Sequence, residues 1–93
     1  MLAVSTIKST IAATSILVYP NPSSGIFKME LSGIINAPSV EVYNVLGEKV
    51  FSKFPIDNPK FSIDLSNQTS GVYFYRVLTK NVSLVGEGKI IKQ

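Results

Sequence analysis

The sequence predicts an all-β fold, a small antiparallel sandwich or a partly open barrel of about seven short strands. Three observations point there. Where apolar residues form a pattern they alternate with polar ones, as Phe27, Met29 and Leu31 do against Lys28 and Glu30, the period of a strand with one buried face. Glycine, proline and clusters of Asn, Asp and Ser interrupt that pattern at close, fairly even intervals. No segment carries a helical period or reads as a βαβ crossover, and no internal repeat is visible.

Taken in order, residues 3–15 are rich in Ala, Ser and Thr with isolated Val4, Ile7 and Ile11. Residues 1–15 are therefore read as a linker or the tail of an upstream region, with a first edge strand as the alternative, and 16–93 as the folded domain. A short strand over 16–19 stops at Tyr19-Pro20-Asn21-Pro22. Each proline fixes its own φ, lacks an N–H and biases the residue before it toward extended geometry, so the segment forms a rigid corner. Ser23, Ser24 and Gly25 supply turn chemistry, and alternation resumes over 26–31. After a break at Ser32-Gly33 and a loop over 36–39, residues 40–43 alternate again, with Val40 and Val42 inward. The connection over 44–48 is tight, and Gly47 can take the positive φ that such a reversal needs; 49–51 return as the second half of a hairpin.

A proline-marked loop over 54–59 leads to 61–65, where Phe61, Ile63 and Leu65 share a face. The polar run 66–71 ends on Gly71. Residues 72–79, dense in β-branched and aromatic side chains, give the strongest strand signal. On one face Tyr73, Tyr75 and Val77 read as core; on the other, Val72, Phe74 and Arg76 are either covered by a second sheet or form an exposed patch. Lys80-Asn81 turns the chain, and 82–92 close it, with Gly86 and Gly88 marking a bulge or bend.

Composition removes several functions. The 93 residues include no Cys and no His, which excludes disulfides, Cys-based metal sites and all catalysis that depends on a histidine base. The net charge of +3 comes from singly scattered lysines and one arginine, unlike the clustered basic face of a nucleic-acid binder. No apolar stretch approaches the ~18–20 residues that span a bilayer as a helix, and Lys8 interrupts any signal-peptide core. Glu30, Glu41 and Asp64 alternate with core positions and read as a solvated outer face. Gly86-Glu87-Gly88-Lys89 is too short for a phosphate loop and precedes no helix. No catalytic residue, cofactor or metal site is expected.

The order of landmarks carries more than any one of them. Tyr19-Pro20-Asn21-Pro22 and Gly25 come first, then Val42-Tyr43-Asn44 with Leu46-Gly47-Glu48-Lys49-Val50, then Ile63-Asp64-Leu65-Ser66. Gly71-Val72-Tyr73-Phe74-Tyr75-Arg76-Val77 and Lys89-Ile90-Ile91-Lys92 follow. Over residues 17–93 this resembles the type A C-terminal sorting domain of the type IX secretion system of Bacteroidetes. The resemblance implies a small antiparallel seven-stranded immunoglobulin-like β-sandwich at the end of a larger exported protein, with Tyr19, Pro20, Asn21, Pro22, Gly25, Gly47, Gly71 and Tyr73 as the sorting motif. It implies a non-catalytic address. The attached cargo would pass through the periplasm to an outer-membrane translocon, and a sortase-like peptidase would then remove the domain, leaving the cargo on the surface or released. Recognition would map onto Gly86, Lys89, Ile90, Ile91 and Lys92, and cleavage onto the linker. Gln93 departs from the pattern, since many members stop at or near the lysine. A strand there suits β-augmentation, and the flanking lysines guard such an edge. An exposed edge or face would also allow a homodimer. The alternative is an accessory β-sandwich that binds carbohydrate or a cell-surface ligand through residues such as Tyr43 and Phe74.

Overall fold

A computed structural model describes residues 15–33 and 38–93. Ser15 opens the first strand; the rest of the expected linker, and residues 36–37 of the expected loop, lie outside the described residues. Seven strands follow in order: β1 (Ser15–Tyr19), β2 (Ile26–Ser32), β3 (Ser39–Tyr43), β4 (Lys49–Lys53), β5 (Lys60–Asp64), β6 (Gly71–Leu78) and β7 (Leu84–Lys92). Every strand pairing is antiparallel, in a three-stranded sheet β1-β2-β5 and a four-stranded sheet β4-β3-β6-β7. No helix occurs among the described residues. The sheets share no strand, so the fold is a sandwich and not the partly open barrel. The strand order matches the immunoglobulin arrangement, with the fourth strand beside the third.

The alternation explains the layers. Phe27, Met29 and Leu31 of β2, with Ile63 of β5 and the adjoining Leu65, meet Val40 and Val42 of β3, Tyr73 and Val77 of β6 and Ile90 of β7. Phe27 and Ile63 are register partners, and both are fully buried. Burying side chains of this size contributes roughly 1.5–3 kcal/mol each. The strands form where expected because one face of each must be dry, which pins their register.

Side chains fix the turns. Asn44 holds the β3–β4 hairpin: its Oδ1 accepts from the backbone N–H of Leu46 (3.0 Å) and Glu48 (2.9 Å), and its Nδ2 donates to the Glu48 carboxylate (2.8 Å). Gly47 takes φ 83° there, the positive φ expected of it in this reversal. Asp64 closes β5 by accepting from the Ser66 N–H and hydroxyl. Gly25 lies against this corner: its carbonyl accepts from Leu65 N–H at 2.8 Å, and a Cβ on it would sit 3.0 Å from Ser66 Cα. Where the chain crosses from β5 in one sheet to β6 in the other, the Tyr73 hydroxyl donates to the Thr69 carbonyl at 2.5 Å. This is the geometry of a tyrosine corner.

The two glycines of β7 differ in role. The register irregularity with β6 falls opposite Leu84 and Gly86, so the expected bulge lies next to Gly86. Gly88 remains in regular register opposite Tyr75 and marks no bend. Both make room: Ile16 Cδ1 would lie 2.5 Å from a Cβ on Gly86, and the Tyr75 hydroxyl oxygen 2.5 Å from one on Gly88. The Tyr75 ring thus covers an edge-strand glycine, a device that supports such positions. Val72 is half-buried, Phe74 and Arg76 are exposed, and no described residue covers this outer face as a second layer.

Tyr73→Phe should cost about 1 kcal/mol by leaving the Thr69 carbonyl without its donor, seen as a lower urea midpoint with unchanged slope. Val82, 73% exposed, turns the chain between β6 and β7 at φ 63°. The left-handed region costs a β-branched residue ~1–2 kcal/mol, so Val82→Gly should raise the thermal midpoint by a few degrees.

Candidate functional site

Of the residues expected to form the sorting motif, Asn21, Gly71 and Tyr73 meet β7, the strand that carries the residues expected to be recognised. On its inner side β7 pairs with the start of β6, Gly71 opposite Lys92 and Tyr73 opposite Ile90. On its outer side lies the corner between β1 and β2. That corner belongs by sequence to the other sheet, yet it hydrogen-bonds here across the sandwich. Asn21 Nδ2 donates to the Lys89 carbonyl (3.1 Å), and Asn21 Oδ1 accepts from the Ile91 N–H (2.9 Å). Ser23 N–H donates to the Ile91 carbonyl (3.0 Å), and the Ser23 carbonyl accepts from the Gln93 N–H (2.8 Å). Ser23 and Lys92 form a parallel bridge.

The two prolines explain why a side chain is needed. Pro20 and Pro22 have no N–H to offer an edge strand, and both X–Pro bonds of the corner are cis. The Asn21 carboxamide turns one of its two N–H donors and its carbonyl oxygen to β7, in the arrangement of a peptide group. Ser23 is buried, its hydroxyl donating to the Ile26 carbonyl (2.6 Å) and accepting from Gly25 N–H (3.2 Å). Asn21 and Ser23 therefore act as a short eighth strand on part of the β7 edge. Tyr19 ends the corner with a hydrogen bond from its hydroxyl to the Glu30 carboxylate, which raises the Tyr19 pKa.

Side chains of β7 alternate about this edge. Ile90 is fully buried; Ile91 and Lys89 are exposed on the outer face. Ile90 completes the core, and Ile91 does not. Lys89 lies in a row with Phe74 and Tyr43, and Ile91 lies beside Val72. A second row runs Glu41, Arg76, Glu87. Gly47, at the far hairpin, is not part of this convergence, and its role there is to form the turn.

Two of the outward carboxylates are not simply solvated. Glu30 and Glu41 are half-buried, each under a tyrosine hydroxyl, whereas Asp64 is exposed as expected. The Tyr43 hydroxyl donates to Glu41 Oε1 at 2.6 Å, and Lys49 Nζ lies 3.1 Å from Oε2. The Tyr43 hydrogen bond, then Lys49 and Arg76, hold the Glu41 carboxyl below its ordinary value of 4.5 against an opposing effect of burial. The same bond raises the Tyr43 pKa. Hydrogen bonds from the Ser66 side chain and N–H lower the Asp64 pKa, and burial raises that of Tyr75. Among the described residues no group of three or more Asp or Glu is placed to hold a metal ion.

Sequence reasoning singled out Asn21 and the 89–92 run without linking them, and it treated Ser23 only as a turn residue. A side chain that bonds backbone some 70 residues away leaves no local trace. The one available signal was an asparagine between two prolines, where the backbone itself can donate little.

Glu41, with its folded pKa depressed, stabilises the fold above the ordinary carboxylate pKa and loses that contribution as pH falls through the folded value. Wild-type stability should therefore fall below about pH 4.5 more steeply than that of Glu41→Gln, with the two curves parallel between pH 6 and 8, as read by urea unfolding across the pH series.

A search by sequence among curated proteins finds no match. A solved chain from a structural and functional study of PorZ, an essential bacterial surface component of the type-IX secretion system of human oral-microbiomic Porphyromonas gingivalis, is similar in fold. The TM-score is 0.62 at 17% identity, over 96% of this chain and 12% of that one. The present chain thus spans a small part of the protein it resembles. At that identity the likeness speaks for the β-sandwich. The family model of the secretion system C-terminal sorting domain matches residues 17–93, and the chain belongs to that family.

Proposed function

We propose that the domain is a non-catalytic address that directs an attached upstream cargo, after Sec export, through the type IX outer-membrane translocon. A sortase-like peptidase then removes it within the residues before the sandwich, and the cargo is anchored at the surface or released. The observation that carries this reading is the placement of Lys89 and Ile91. The family landmarks Gly71-Val72-Tyr73 and the Tyr19–Ser23 corner are spent on holding β7, and they leave Lys89 and Ile91 on its exposed face. A strand held this way offers both side chains and a backbone edge to a protein partner. Recognition therefore uses Gly86, Lys89, Ile91 and Lys92, while Ile90 serves by anchoring the strand in the core.

The test is a reporter with a Sec signal and this whole chain at its C-terminus, expressed in a type IX-competent bacterium. The double variant Lys89→Glu/Lys92→Glu should lower export several-fold while leaving the thermal midpoint within a few degrees. Deleting 86–93 is a poorer test because it also removes Ile90 from the core. Undiminished export of the stable double variant would exclude recognition through this strand.

A further inference from the structure

We infer that Asn21 is a gate on the outer edge of β7, and that the gated edge is a docking surface for an extended segment of a partner protein. The inference rests on the recognition reading above and deepens it, since it concerns how far along β7 a partner can pair. Within a strand the N–H and C=O of one residue point to the same side, and successive residues alternate. The contacts of Lys89, Ile91 and Gln93 with the corner show that odd-numbered residues of this stretch point away from β6. By the same alternation Glu87 points outward, and no described residue pairs its backbone groups.

The occupant follows from what already sits there. Asn21 gives an N–H to the carbonyl of Lys89 and takes one from Ile91, the pattern by which a residue in a parallel ladder bridges the two neighbours of its partner. Ser23 repeats the pattern one step along with its backbone, bridging Ile91 and Gln93. The edge thus already accepts peptide groups, and one of the two is supplied by a rotatable side chain. Rotation of Asn21 alone frees the Lys89 carbonyl and the Ile91 N–H without unfolding the corner. With the gate closed a docked strand reaches Glu87 and the Lys89 N–H. With it open the strand continues to Ile91 and stops against Ser23.

Amide exchange on the purified 93-residue chain tests the gate without any export step. In Asn21→Ala the Ile91 amide should exchange about tenfold faster, as loss of one such hydrogen bond implies, while Ile90 and Lys92, on the β6 side, keep their protection. Asn21→Asp, which keeps the acceptor, should leave Ile91 protected. The docking probe is a capped peptide of alternating Thr and Val flanked by glutamates. It should bind Asn21→Ala several-fold more tightly than wild type, shifting the amides of Glu87, Lys89 and Ile91.

Unchanged Ile91 exchange in Asn21→Ala would overturn the gate. Equal peptide binding by the two proteins, or shifts confined to other strands, would overturn the docking surface. A concentration-dependent dimer of Asn21→Ala without peptide would assign the edge to a second copy of the chain instead. If Asn21→Ala also loses protection at Ile90 and Lys92, Asn21→Asp decides alone: its Ile91 amide stays protected with the gate and not without it. An export failure in the reporter leaves these outcomes standing, so the two readings fail separately.

Discussion

Four hydrogen bonds from the Tyr19–Ser23 corner, three to β7 and one to Gln93 just past it, join the two sheets where no strand does so. The corner connects β1 to β2, both in the three-stranded sheet, while β7 is an edge of the four-stranded one. An edge strand exposes a row of unpaired backbone groups, and proteins manage that liability by covering, charging or bending it. Here the covering is done by a loop whose prolines cannot donate and whose asparagine and serine can. The last strand is therefore bonded on both sides near Ile91, although it lies outermost in its sheet.

The other crossing between sheets is handled differently. From β5 to β6 the chain changes sheet through a polar loop, and Tyr73 fastens that loop with a hydroxyl bonded to Thr69 while its ring fills the core. Tyr73 is also the register partner of Ile90. One aromatic side chain thus serves the crossover, the core and the bed on which β7 lies, so the Gly71-Val72-Tyr73 landmark and the Lys89–Lys92 landmark form one structural unit. The family's short motifs, weak when taken singly, make physical sense as its separate pieces.

The strands were legible because each buries one face. Phe27, Met29 and Leu31, or Val40 and Val42, cannot shift by one residue without turning the core to water, and alternation reports that constraint directly. Turns were legible where backbone geometry demands a residue type, as at Gly47. Sequence could not show that Gly88 is small for the sake of the Tyr75 ring and not for a bend, because that depends on a cross-strand neighbour. Nor could it show that Glu30 and Glu41 each lie under a tyrosine hydroxyl, since alternation predicts a face and not the company on it. The site suffered most: Asn21 and Ile91 meet through the sandwich, and no window of sequence contains both.

The double-sided bonding of β7 has a mechanical consequence. A pull transmitted along the strand axis loads the β6 ladder and the corner's bonds side by side, in shear, so that they resist together instead of opening one after another from an end. A pull directed sideways meets only one bond at a time. The domain is thus stiff against tension along its last strand and compliant to a force that peels the same strand outward.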